Sequence, residues 1–298
     1  MSRQVQGYVY LALAMLTVGS TVVASKLIAS SLPPFGATAL RFAIAFPVFL
    51  LLMWATGARL PKLSRQDRLI LVIQAGAGSV GYTTLLISGL SLTSAADAGV
   101  IIGTLPVVSA AISILLLRER PQRALLLAVA LATAGVLSIA VTPDAAGGSL
   151  SGNALIFLAV VCEGLFILLN KRLKTEIAPL AQSTLMAGIG FIVAAIPAIF
   201  EAPFAHGISA SAVAAVVYYA LVPTVGGFLL WYAGAERVSG TEAALFTALA
   251  PVSAVILAFI ILGEPVGFSQ IAGIACVFAA VLGLAFAGSR TVKLAGGR

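Results

Sequence analysis

Ten stretches of about twenty mainly apolar residues follow one another along this 298-residue chain, and little sequence separates them. They run over 5–28, 35–56, 69–91, 94–117, 123–141, 152–171, 180–200, 210–232, 241–262 and 269–287. A helix rises about 1.5 Å per residue, so roughly twenty residues cross the ~30 Å hydrocarbon core of a bilayer. Hydrophobic residues make up 61% of the chain and charged residues 9%, where soluble domains carry about a quarter charged. A soluble fold of this length could not hide that much apolar surface. The predicted fold is an all-α polytopic membrane protein with ten transmembrane helices. The run from Met1 to Leu27 is too long for the apolar core of a secretory signal and is taken as the first span.

Pro33-Pro34, Gly57, Pro61, Pro121, Pro143, Gly147-Gly148, Pro179 and Pro265 punctuate the connections as helix stops. The formal charge of +7 sits at the ends of the apolar stretches. Basic residues fill alternate loops: Arg59, Lys62, Arg65 and Arg68; Arg118, Arg120 and Arg123; Lys171, Arg172 and Lys174; and Arg237. The other loops carry Asp144, Glu201, Glu264 and the lone His206, which is read as a solvated loop residue. By the positive-inside rule both termini are cytoplasmic. No basic stripe with exposed aromatics appears, so nucleic acid is not an expected partner. Cys162 and Cys276 fall mid-span and read as small packing residues.

Sliding the chain on itself by 145 residues produces a second constraint. Gly7 falls on Gly152, Lys26 on Lys171, Pro34 on Pro179, Phe46 on Phe191, Gly81 on Gly226 and Gly89 on Gly234. Asp97 falls on Glu242, Pro106-Val107 on Pro251-Val252, and Glu119 on Glu264. The division is a first five-helix repeat, 1–145, and a second, 146–298, with a short cytoplasmic tail. Five is odd, so the second copy enters the membrane upside down. Two inverted five-helix repeats are a mark of secondary transporters, in which rocking halves expose a midplane site alternately to each side.

With these residues in view, the chain resembles the EamA-type branch of the drug/metabolite transporter superfamily. The resemblance rests on the two five-span halves, the ALRF segment (39–42), LLLRERP (115–121) and IILGEPV (260–266), and it covers essentially the whole chain. Within that branch it is most similar to bacterial aromatic amino-acid exporters, by overall likeness rather than by any substrate motif. The resemblance implies a multi-pass protein of the bacterial inner (plasma) membrane. It also implies that spans three, four, eight and nine move.

The candidate cavity residues follow helical spacing. Thr17, Ser20 and Thr21 stripe the first span; Glu163, Phe166 and Asn170 lie on its repeat mate; Gln74, Gly78 and Tyr82 share a face of the third; Trp231 lies on the eighth. Spans one, three, four, six, eight and nine are expected to line the cavity, and two, five, seven and ten to face lipid or outer packing. Glycine and proline supply close packing and bends, and the paired Pro106 and Pro251 are the candidate hinges. Glu163 is the sharpest single residue: an ionised acid mid-span costs about 2.5–3.5 kcal/mol on insertion scales, so it meets substrate, water or proton, or pairs structurally. Asp97 and Glu242 open spans four and nine, where an acid also suits the helix dipole. Lys26 and Arg41 either meet a substrate carboxylate at the outer mouth or snorkel to the interface. Trp231-Tyr232 suit an interfacial belt or an aromatic substrate, and Tyr82 the cavity.

No nucleotide-binding loop, metal spacing or Ser/His/Asp constellation occurs, so neither cofactor, metal nor catalytic residue is expected, and the chain is not read as an enzyme. The expected function is export of amino acids, aromatic or neutral, or related metabolites by alternating access. Transport would be uniport or coupled to protons. A multidrug or cationic-compound exporter is the alternative within the superfamily, and a membrane enzyme or lipid-handling protein the alternative outside it.

Overall fold

The computed structural model describes residues 3–105, 107–109, 111–112, 127, 130–131, 134, 149–170, 172–201, 207–238, 246, 249–276 and 278–279. Pro106, Glu119, Lys171, His206 and Glu242 lie outside the described residues, as do most of span five and parts of spans four, nine and ten. Among the described residues the chain is helical and contains no strand.

The helices are α1 (Arg3–Ala29), α2 (Pro34–Thr56), α3 (Arg65–Leu90), α4 (Ala95–Ile102), α5 (Leu150–Asn170), α6 (Pro179–Glu201), α7 (Ala210–Ala235) and α8 (Leu249–Leu262). Six of them, α1, α2, α3, α5, α6 and α7, are long and apolar enough to cross a membrane. Large apolar side chains stand out from the body, among them Trp54, Phe200 and Phe268 with over 80% of their surface exposed. Such a surface suits lipid and would be a liability in water.

The 145-residue offset reappears as geometry. It carries the ends of α2 onto those of α6, and the ends of α3 onto those of α7. Within α3 the hydrogen bonding widens to a π-helical run over Ala75–Gly81, and within α7 over Ala220–Gly227, again at equivalent positions. In α7 the cause is visible: Pro223 has no N–H to return to the Tyr219 carbonyl, and the Thr224 hydroxyl donates to it instead at 2.8 Å. In α3 the run AGAGSVG has few side chains to resist widening. The Ser79 carbonyl accepts from the Thr83 hydroxyl at 2.8 Å and from Arg41 at 3.2 Å. π-Helical turns commonly mark functional places in helices.

Equivalent glycines set the helix contacts. A Cβ on Gly7 would meet Val238, Arg237 and the Gly234 carbonyl; one on Gly152 would meet Thr93, Leu92 and the Gly89 carbonyl, each the repeat mate of the first set. α1 therefore packs on α7 as α5 packs on α3. α2 lies against α6, where Phe42 and Phe46 occupy the space left by Gly190 and Gly188.

Helix ends are closed by side chains from distant segments. Glu264 accepts from the Ala95 and Ala96 N–H groups at the start of α4, at 3.1 and 3.0 Å. Glu201 accepts from Gly36 N–H at 2.8 Å at the start of α2. These carboxylates satisfy orphan donors and face the positive end of a helix dipole. Asp97 has its own N–H capped by the Ser94 hydroxyl at 3.0 Å, and its carboxylate accepts from Gln270 at 2.8 Å. Asp67 does similar work at the start of α3: Ser64 caps its N–H, and its carboxylate accepts from Lys174 N–H and the Thr175 hydroxyl. That contact ties the 57–64 connection to the one after α5.

Lys26 corrects one expectation. Its ammonium donates to the Leu90 and Thr93 carbonyls at 2.8 and 2.6 Å, neutralising the C-terminal end of α3. It neither snorkels nor faces a cavity.

Candidate functional site

The π-helical runs of α3 and α7 face one internal cavity of about 120 Å³. Its wall is built from equivalent positions in the two halves. Met15 and Val160 both line it, as do Val18 and Glu163, Thr21 and Phe166, Gly78 and Pro223, Ser79 and Thr224, Tyr82 and Gly227, Thr83 and Phe228, and Leu105 and Ala250. The positions repeat while the side chains do not. Where one half offers Val18, the other offers Glu163.

Of the residues singled out in the sequence, Thr21, Gly78, Tyr82, Glu163, Phe166 and Trp231 line this cavity. Trp231 and its neighbour Tyr232 therefore turn inward rather than forming an interfacial belt. Thr17, Ser20, Gln74 and Asn170 are not part of the wall. Thr17 donates to the Ala14 carbonyl and packs against Gly227. Ser20 accepts from the Tyr218 hydroxyl at 2.7 Å. Gln74 is fully buried and donates to the Phe166 carbonyl at 3.2 Å and to the Asn170 side chain at 3.4 Å, and Asn170 also accepts from Gln182. This amide cluster lies one to two turns along α5 from Glu163. Helical spacing put these residues on the correct helices, but a rotation of one position decides whether a side chain meets a cavity or a neighbouring helix. Of the two candidate hinges, Pro251 is buried in α8 beside the wall residue Ala250.

One helix expected to face lipid or outer packing enters the wall. Arg41, for which the sequence left open snorkelling or contact with a substrate carboxylate, is 5% exposed, so α2 contributes to the wall despite its apolar sequence. Its guanidinium stacks over Phe42 at 4.1 Å and Tyr219 at 4.6 Å, and donates to the Ser79 carbonyl. The rings hold a cation in a place water does not reach well. Tyr219, on the face of span eight that matches Gln74, Gly78 and Tyr82 under the offset, lines the wall although its own mate Gln74 does not.

Glu163 accepts no hydrogen bond and forms no ion pair with any described residue. It lies within electrostatic range of Arg41, Tyr82 and Tyr232. The Arg41 Nε, the Ser79 hydroxyl and the Tyr232 hydroxyl are buried with no partner among the described residues. Buried polar groups in proteins are nearly always satisfied. Three such unsatisfied atoms share this cavity wall.

The cavity is thus walled from equivalent positions of two halves and holds an acid and a buried cation that do not pair. The EamA-like transporter family model matches residues 5–141 and again 150–286. The chain belongs to the EamA-like transporter family. An uncharacterized transporter of Bacillus subtilis, YetK, is 37% identical over 286 residues, covering 94% of this chain and 86% of that protein. A probable terminal-alkyne amino-acid exporter of Streptantibioticus cattleyicolor is 28% identical over 258 residues, covering 84% of each chain. One crystal structure superposes with a TM-score of 0.64 at 20% sequence identity, covering 97% of this chain and 98% of that one, a likeness of fold. This EamA-like chain is thus a multi-pass membrane protein of a transporter family.

Proposed function

We propose that this transporter exports amino acids or closely related metabolites by alternating access. In this reading ten spans form two inverted five-helix repeats, with 1–145 and 146–298 as the halves. Both termini lie in the cytoplasm and the protein resides in a bacterial inner membrane. The observation that carries the reading is the cavity wall, whose positions pair across the two halves and flank matched π-helical runs in α3 and α7. Inverted repeats give two equivalent conformations by exchanging the shapes of the halves, and widened helical turns beside the site are where such bending concentrates. Pro106 and Pro251 act as hinges in the same motion.

The cargo is read from the wall. It is mostly apolar and aromatic, with one carboxylate and one guanidinium, which suits a small amphoteric molecule with an apolar body. A sugar phosphate or nucleotide would require several cations, and among the described residues the wall offers Arg41 alone. The name of the Streptantibioticus relative points to the same chemistry. Glu163 is also where a coupling proton would bind.

Purified protein in liposomes, loaded with labelled phenylalanine or with a quaternary ammonium dye, tests the reading. Efflux of the amino acid and retention of the dye is the expected result. Movement of the dye alone would establish the cationic-compound alternative, and failure to move any amino acid would overturn the proposal.

A further inference from the structure

Among the described residues the wall holds one cationic and one acidic side chain, and the two do not touch. Arg41 is anchored on the α2 side, clamped between the Phe42 and Tyr219 rings and tied to the Ser79 carbonyl of the α3 π-helical run. Glu163 projects from α5 with both oxygens unbonded. Opposite charges in a low-dielectric interior attract strongly, and where they serve only packing they close on each other. Here they are held short of an ion pair, and the cavity lies against both. Three of the six buried side-chain polar atoms without a partner among the described residues belong to this wall: Nε of Arg41 itself, the Ser79 hydroxyl and the Tyr232 hydroxyl. The rest of the wall is apolar or aromatic, with Val18, Val160, Phe166 and Trp231 among it.

We propose that Arg41 and Glu163 form a two-point cradle for a zwitterion, Arg41 and Ser79 taking the carboxylate and Glu163 the ammonium group. The side chain of the ligand then lies on the aromatic wall. Arg41 and Glu163 cancel each other, so a zwitterion leaves the cavity neutral with both groups paired, whereas a lone acid or a lone amine adds a net charge and leaves one of the two without a partner. Arg41 suits the carboxylate because its planar fork can offer two parallel N–H donors, which a lysine cannot. The site is also one-sided. Arg41 falls on Met186 under the repeat offset and Glu163 on Val18, so neither charge has a twin in the other half, and the ligand has a single orientation while the halves exchange shapes.

This inference rests on the transporter reading and is tested so that the two fail separately. Liposomes with wild-type protein are assayed for efflux of labelled phenylalanine in competition with phenethylamine, which lacks the carboxylate, and 3-phenylpropionate, which lacks the amine. The expected result is competition by other zwitterionic amino acids and at least tenfold weaker competition by both one-charge analogues. Arg41→Gln should lose at least tenfold in apparent phenylalanine affinity while the discrimination against phenethylamine collapses. Glu163→Gln should do the reverse and erase the discrimination against 3-phenylpropionate. Arg41→Lys keeps the charge and loses the fork, so it should recover only part of the affinity. Monodisperse elution and an unshifted melting temperature qualify each variant. If a substitution at Arg41 destabilises the protein, Ser79→Ala serves in its place as the probe of the carboxylate end. Wild-type transport of phenylalanine with selectivity against the analogues unchanged in the Arg41, Ser79 and Glu163 variants would overturn the cradle alone. Absence of any amino-acid transport by the wild type would overturn the exporter reading and the cradle with it.

Discussion

Gly19 and Gly164 are repeat mates that stand in unequal surroundings, so one substitution at two equivalent places should have two different outcomes. A Cβ on Gly19 would fall 1.7 Å from the Ser253 hydroxyl, 2.5 Å from the Ala250 carbonyl and 2.9 Å from the Ala254 nitrogen. The hydroxyl could rotate away. The other two are backbone atoms of α8, so α1 and α8 must separate. A Cβ on Gly164 would meet the Ile112 Cδ1 at 3.0 Å and the Ser109 hydroxyl at 3.3 Å, both ends of side chains that can yield. Each Gly→Ala change gains about 0.8–1 kcal/mol of helix propensity, which cancels in the comparison. What remains is overpacking at Gly19, typically about 1–3 kcal/mol. A chain this size shifts its melting temperature by about 2–4 °C per kcal/mol, so Gly19→Ala should melt roughly 2–12 °C below Gly164→Ala in detergent. Adding Ser253→Gly should recover only a fraction, because the Ala250 carbonyl stays in place. If the halves exchange shapes during transport, Gly164 becomes the tight position in the opposite state. Gly164→Ala should then melt at or above wild type and still turn over more slowly. Equal melting temperatures for the two variants, or a lower one for Gly164→Ala, would refute the reasoning.

Further outcomes follow from single contacts. Glu264→Ala removes the carboxylate from two N–H groups of α4, and should lower stability by about 1.5–3 kcal/mol, with Glu264→Gln falling between it and wild type in a thermal melt. Pro223→Ala returns an N–H to the Tyr219 carbonyl and favours a regular helix through α7; flux in liposomes should fall while the melting temperature holds or rises. Gly78→Ala sets a Cβ 2.2 Å from that of Phe166, which cannot move without moving α5; loss of stability should be partly reversed in the Gly78→Ala/Phe166→Ala double variant.

Much of the molecule was legible in the chain because membranes impose simple rules. Apolar runs must be helical to satisfy their own backbone, and glycine, proline and charge mark the ends. The offset between halves likewise needs no structure, and it paired the helix ends and faces; the π-helical runs at equivalent positions came only with the structure. It also made Asp97 a helix-start residue, which is how Ser94 and Gln270 hold it.

What the residue string determined by itself, then, is the helical membrane fold, its family and most of the helices that meet at the centre, α2 excepted. Only tertiary structure decided which side chains face the cavity. Lys26 and Arg41 read alike in sequence, each a cation near the end of an apolar run. Packing sent Lys26 to the carbonyls that end α3 and drew Arg41 between two aromatic rings, because the fate of a charge depends on which unsatisfied acceptors and ring faces the neighbouring helices bring to it. Gln74 and Tyr82, on one face of α3, parted for the same reason: one found an amide partner on α5, and the other the open cavity.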